Sequence, residues 1–177
     1  MANIKKRDVI ITMIVVGLVY MLNQRTTIYQ CAAIFTAILF IINTRILNNT
    51  ARSAYTTLIV GIVLSLPLYA MVGTAFSSQI TIISLVSLLV SGYVSIYITN
   101  TLSGTYSFSI SLLSSLITVA MIDGLIMKSY FSAYEIFSIE KIGSIFNKEL
   151  LFKACYAVGV STIMYVVETY KKKPRYK

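Results

Sequence analysis

The chain has 177 residues, 57% of them apolar and only 12% charged, with a mean hydropathy of +0.81 and a net charge of +9. A soluble domain is about half apolar and about a quarter charged, so this composition excludes that class and indicates one helical bundle in a bilayer. The basic excess does not form a nucleic-acid surface: Lys5, Lys6 and Arg7 lie at one end, and Lys171, Lys172, Lys173, Arg175 and Lys177 at the other. Both groups abut apolar runs, the pattern of cytoplasmic tails, and no nucleic-acid partner is expected.

The basic start and the apolar run from Val9 to Leu22 resemble a signal peptide, but no small-x-small cleavage site follows. The run is therefore expected to be a retained first helix, 9–23, short against the roughly 20 residues a span needs. A tight polar turn, Asn23-Gln24-Arg25, leads to a second helix over 27–43, so the two form an antiparallel hairpin. A polar connection through Arg45 and Arg52 precedes a third helix at 54–76, with Pro67 inside it to kink the backbone or leave groups for a neighbour to satisfy. The fourth helix, 80–99, carries Ser84, Ser87, Ser91 and Ser95 at helical spacing beside Gly92. Such small-residue stripes allow close helix approach, which is the preferred reading over a hydroxyl-lined pore.

The fifth helix, 108–127, has a packing stripe of Ser111, Ser115 and Thr118. Asp123 stands off that stripe and lines up with Leu112, Leu116 and Ala120. It is the first charged side chain after Arg52, and an acid in such surroundings is a candidate functional group by default. A long outer connection, 128–148, is rich in aromatics, including Phe131, Tyr134 and Phe137. It reads either as an amphipathic segment at the interface or as a lid over a site. The sixth helix, 149–167, begins with Glu149, Lys153 and Tyr156 on one face.

The predicted fold is thus an all-α membrane protein: a single domain of six transmembrane helices with both termini cytoplasmic, a multi-pass protein of the cell (inner) membrane. In that topology Asp123, Lys153 and Asn23 lie at similar depth below the outer surface, under the aromatic connection. They are the expected substrate-binding residues, with Glu149 and Tyr156. The bland alternatives are a surface i,i+4 pair for Glu149 and Lys153 and a Lys153 that snorkels to the headgroups. Cys31 and Cys155 belong to no ligand cluster and the chain has no histidine. No metal or cofactor is expected, and both cysteines read as small buried residues.

Several stretches taken together resemble the queuosine-precursor transporters, a vitamin-uptake-transporter-like family. They are the helix ending in Ser91-Gly92-Tyr93 through Thr99-Asn100-Thr101-Leu102, the Ser/Thr-rich helix reaching Asp123, and Glu149-Leu150-Leu151-Phe152-Lys153 leading to Met164-Tyr165. Arg45-Ile46 and Ala51-Arg52 are similar to the family's connection between helices 2 and 3. The chain departs from the pattern in having no acid within 41–44, Ile163 in place of a proline, and a short link between helices 1 and 2.

The resemblance implies a bundle similar to the substrate-binding subunits of energy-coupling-factor transporters, and uptake of 7-cyano-7-deazaguanine or a related base. It leaves open an energy-coupling partner or a homo-oligomer, and uptake of a different vitamin-like solute. A non-transporting or lesion-forming membrane protein is the alternative from another class. No enzymatic role is expected, since paired acids, histidine and a nucleophile motif are all missing.

Overall fold

The computed structural model describes residues 6–25, 27–48, 50–73 and 77–172. It is all-helical over these residues, with six helices: α1 (Lys6–Leu22), α2 (Ile28–Asn48), α3 (Ala51–Val72), α4 (Ser78–Leu102), α5 (Phe108–Ala133) and α6 (Ile139–Lys172). Helices α2 to α6 are long and apolar enough to cross a bilayer, which makes the chain a multi-pass membrane protein. The expected end of the third helix at 74–76 and the basic residues Lys5, Lys173, Arg175 and Lys177 lie outside the described residues.

Helix α2 is the hub. It packs against all five other helices, while α1, α3, α4, α5 and α6 follow one another around it. Among the described residues α1 and α6 do not pack on each other, so the ring stays open there. Polarity is inverted relative to a soluble domain. Ile38, Leu39, Ile42, Leu58 and Leu112 form a core, but Ser87, Ser91, Ser95, Ser111 and Ser115 are buried with them, while Met13, Met71, Ile82 and Tyr97 face outward. Hydrocarbon solvates the outer side chains, so helix association rests on close packing and interhelical hydrogen bonds. One relay shows both. Asn43 donates to Ser95 Oγ at 2.7 Å, Ser95 Oγ lies 2.7 Å from Ser115 Oγ, and Ser115 donates to the Ser95 carbonyl at 3.0 Å. The serine stripe is thus a helix-packing surface.

Three sequence expectations are corrected. The polar stretch at 43–48 is not a connection but the last turns of α2, because Asn43 and Arg45 point inward and find partners there. The connection expected at 128–148 is mostly helix. Helix α5 runs on to Ala133, α6 starts at Ile139, and 134–138 is all that joins them. The cause is a core stripe. Ile142, Ile145, Glu149 and Lys153 recur at helical spacing, and Phe146 lies so close to Gly124 that a Cβ there would stand 2.7 Å from the ring. At 34 residues α6 is about 51 Å long, well beyond the roughly 30 Å hydrocarbon thickness. Its first turns therefore overhang the end of the bundle. Lastly, the two stripes of α5 do not separate into a packing face and a functional face. Ser111, Ser115, Leu112, Leu116 and Ala120 are all buried, because α5 is held between α4, α6 and α2.

Helix ends are fixed by local chemistry. Thr50, Ser77 and Ser107 cap α3, α4 and α5 by accepting from the backbone amide three residues on. The α5 start is also gripped from outside. Glu168 of α6 accepts from the Phe108 amide at 3.1 Å and the Ser109 hydroxyl at 2.8 Å, a carboxylate at the positive end of a helix dipole.

Candidate functional site

At one end of the bundle α1, α2, α4, α5 and α6 enclose a cavity of about 230 Å³. Its walls are Leu22, Ile28, Phe35, Ile80 and Met127. Phe131 and Phe137, from the α5 end and the 134–138 connection, lie across it with ring centroids 5.5 Å apart in an edge-to-face arrangement. Asn23, Ser84, Asp123, Glu149 and Lys153 add the polar lining. An apolar wall with a few placed polar groups is the usual make-up of a small-ligand site.

The charged centre is a triad. Lys153 is 2% exposed and donates to both Asp123 Oδ2 and Glu149 Oε1, the latter at 2.6 Å. Ser87 donates to Asp123 Oδ1 from α4. Helix periodicity places Glu149 and Lys153 one turn apart on the inner face of α6, and Asp123 ends the buried face of α5 opposite them. The Lys153 ammonium also sits 4.2 Å from the Phe35 ring centroid, a cation–π contact strengthened by burial of the side chain. An unpaired ammonium at this depth would cost about 3 kcal/mol or more; two carboxylates and a ring face offset that. With all three groups ionised the cluster carries one net negative charge.

Neither bland reading of Lys153 holds. It does not snorkel, and its partner Glu149 is joined by a second carboxylate from another helix. Asn23 follows the last turn of α1, is 2% exposed, lines the cavity, and donates to the Tyr69 hydroxyl at 3.0 Å. Tyr69 in turn donates to the Val19 carbonyl at 2.5 Å, so α3 holds the Asn23 turn in place. The structure thus brings Asp123, Lys153 and Asn23 to the lining of one cavity. Tyr156 is the exception. It is half-buried and does not line the cavity, because the inward stripe of α6 passes from Lys153 to Ala157, which is 1% exposed.

Comparison of the chain with protein-family models, curated proteins and solved structures gives no match.

Sequence reasoning passed over three residues. Ser87 reads as one more small residue of a packing stripe, and nothing local marks it as the member that meets Asp123. Phe35 lies beneath the ammonium, and nothing in its apolar stretch marks it for that contact. Cys31 is not simply buried filling. It lines the cavity and donates to the Arg25 carbonyl at 3.2 Å, whereas Cys155 is exposed on the outside of α6. Among the described residues no group of His, Cys, Asp and Glu is arranged to hold a metal ion.

Proposed function

We propose that the protein is a cell-membrane importer of a small planar solute with an amino edge and a ring carbonyl, of the 7-deazaguanine class that includes queuosine precursors. The observation that carries this reading is the Asp123 carboxylate lining a largely apolar cavity beside the Lys153 ammonium. Each oxygen of Asp123 accepts one internal hydrogen bond, from Ser87 or from Lys153. A carboxylate offers about four lone-pair positions, so one on each oxygen remains for a ligand. Two parallel donors, a ring N–H and the neighbouring amino group of a guanine-like edge, match that pair.

In such a base the carbonyl is adjacent to the ring N–H. It then falls beside Lys153, whose nitrogen only donates. Phe131 and Phe137 provide flat apolar surface of the kind on which bases stack. The volume suits the solute as well, since about 230 Å³ lies below the roughly 300–1,000 Å³ of drug-sized sites. In this reading the six helices span the membrane with both termini in the cytoplasm, and the cavity opens toward the outside.

The test uses cells that cannot synthesise the base and depend on uptake. Expression of the wild-type chain is expected to restore queuosine in tRNA from external precursor. Asp123→Asn replaces one acceptor oxygen by a donor and is expected to abolish restoration while the protein remains in the membrane fraction. Wild-type restoration by Asp123→Asn would remove Asp123 from the site, and no restoration by the wild-type chain would refute the substrate class.

A further inference from the structure

A second concavity lies at the opposite end of the bundle, on the outer side of α1 and α3. It is an open groove of about 540 Å³ with Arg45 of α2 at its head. Its two ends differ in chemistry. The head is polar, with Asp8, Arg45, Arg52 and Ser53, the far end is apolar, with Met13, Val60 and Leu64, and Val9, Thr12, Thr56 and Thr57 line the stretch between.

Arg45 is 3% exposed and is held in place by Asp8 at 2.7 Å and Ser53 at 2.7 Å. Arg52 is exposed at the rim and, among the described residues, makes no ion pair. Lys6 and Arg7, both exposed, precede Asp8 in the first turn of α1. Arg45 and Arg52 thus outnumber the single carboxylate of the groove, and Arg52 stands in the first turn of α3, at the positive end of its dipole. From Arg52 to Leu64 the groove follows α3 for about 18 Å at 1.5 Å per residue. That is close to the depth of one leaflet, since the whole hydrocarbon core is about 30 Å thick.

We infer that this groove is a binding site for one anionic phospholipid, its phosphate at Arg52 beside Arg45 and an acyl chain along Val9, Met13, Val60 and Leu64. Charge complementarity selects the headgroup. The polar-to-apolar gradient and the length select a lipid over a soluble anion. Val9, Met13 and Leu64 are exposed, so a lipid enters sideways from the bilayer. Basic pockets between membrane helices recognise anionic headgroups by the same physics. The inference stands independently of the transported solute.

The chain contains no tryptophan, so Leu64→Trp places the only indole at the tail of the groove. Full-length protein carrying it is reconstituted into vesicles of phosphatidylglycerol and phosphatidylcholine, with brominated chains on one lipid or the other. Brominated phosphatidylglycerol is expected to quench the indole at a several-fold lower mole fraction than brominated phosphatidylcholine. Adding Arg52→Gln is expected to cut that preference about fivefold, the effect of the ~1 kcal/mol a basic residue contributes near an anionic surface, and Arg52→Lys to retain most of it. A control indole from Val158→Trp, exposed on α6, is expected to show no preference.

Equal quenching by the two lipids, an unchanged preference in Arg52→Gln, or the same preference at Val158→Trp would overturn the site. Release of the preference by millimolar glycerol phosphate would overturn it too, since a soluble anion would then be the ligand. Arg52 and Leu64 are both exposed, so neither substitution removes a core contact.

Discussion

An ammonium enclosed between two carboxylates cannot be removed without leaving charge behind. Lys153→Met leaves Asp123 and Glu149 facing one another without their cation. Asp123→Asn is milder, because Glu149 still pairs with Lys153 at 2.6 Å. Breaking a buried pair by removing one partner costs about 3–5 kcal/mol, and Lys153→Met is expected to fall there with Asp123→Asn below it. The double variant Asp123→Asn/Lys153→Met, which leaves Glu149 as the one charge of the triad, is expected to recover about 1–3 kcal/mol relative to the sum of the singles, the range for residues in direct contact. Far-UV circular dichroism melts in detergent measure this, and additive losses would mean that the pair is not coupled. The double variant also separates stability from ligand binding: it is expected to fold and yet not restore uptake. The pairing partner of Asp123 was legible in the chain, because so few charges occur within the apolar segments and the topology sets their depth. Ser87 was not, because a serine chosen for its small size and one chosen for its hydroxyl look the same in a stripe.

Between elements, the close approaches belong to glycines that lie where another helix leans in. A Cβ added at Gly92 of α4 would stand 2.7 Å from Leu58 of α3, and one at Gly61 of α3 would stand 2.6 Å from Val15 of α1. Gly92→Val is therefore expected to destabilise the bundle by about 1–3 kcal/mol through overpacking. Gly17→Ala meets nothing within 4 Å and is expected to be neutral or to stabilise by up to about 1 kcal/mol, since alanine restricts the unfolded chain. The same melts compare the two, and an equal loss at both sites would remove the packing argument. Helix α6 makes a different point at this scale. Its overhanging first turns carry Glu140 and Lys141 among Ile142, Ile145 and Phe146, so average polarity there suggests a connection while the periodic apolar positions specify a helix. Periodicity prevails because Ile142 is buried at 2% exposure and Phe146 packs at Gly124.

For the molecule as a whole, the two polar features lie at opposite ends: the triad beneath α6's overhang, and the Arg45 groove by the start of α1. The basic residues at the groove end predict that this end is cytoplasmic. A fluorescent-protein fusion at the C-terminus is then expected to fluoresce, and alkaline phosphatase inserted in 134–138 is expected to be active outside. The reverse pattern would invert the bundle and put the cavity mouth on the cytoplasmic side. In the proposed six-span arrangement α1 is the helix under most constraint. Its 17 residues cover about 25 Å, so in the six-span arrangement the bilayer thins locally or polar flanks reach to the interface.

Taken alone, the sequence determined the solvent, the class and the costliest positions. Long apolar runs with few charges fit only helices in a bilayer, because every backbone polar group must be satisfied within its own segment. An acid and a lysine in such runs must find each other or water. Tertiary structure decided what no local pattern encodes. It made α2 the hub, turned Asn43 and Arg45 inward, brought Ser87 to Asp123, kept Tyr156 out of the cavity, and set Phe35 beneath the ammonium. The physical reason is that hydropathy reports the transfer of each residue into the membrane. Which polar group meets which depends on helix order and rotation, and those are set by small-residue packing that is nearly degenerate in sequence.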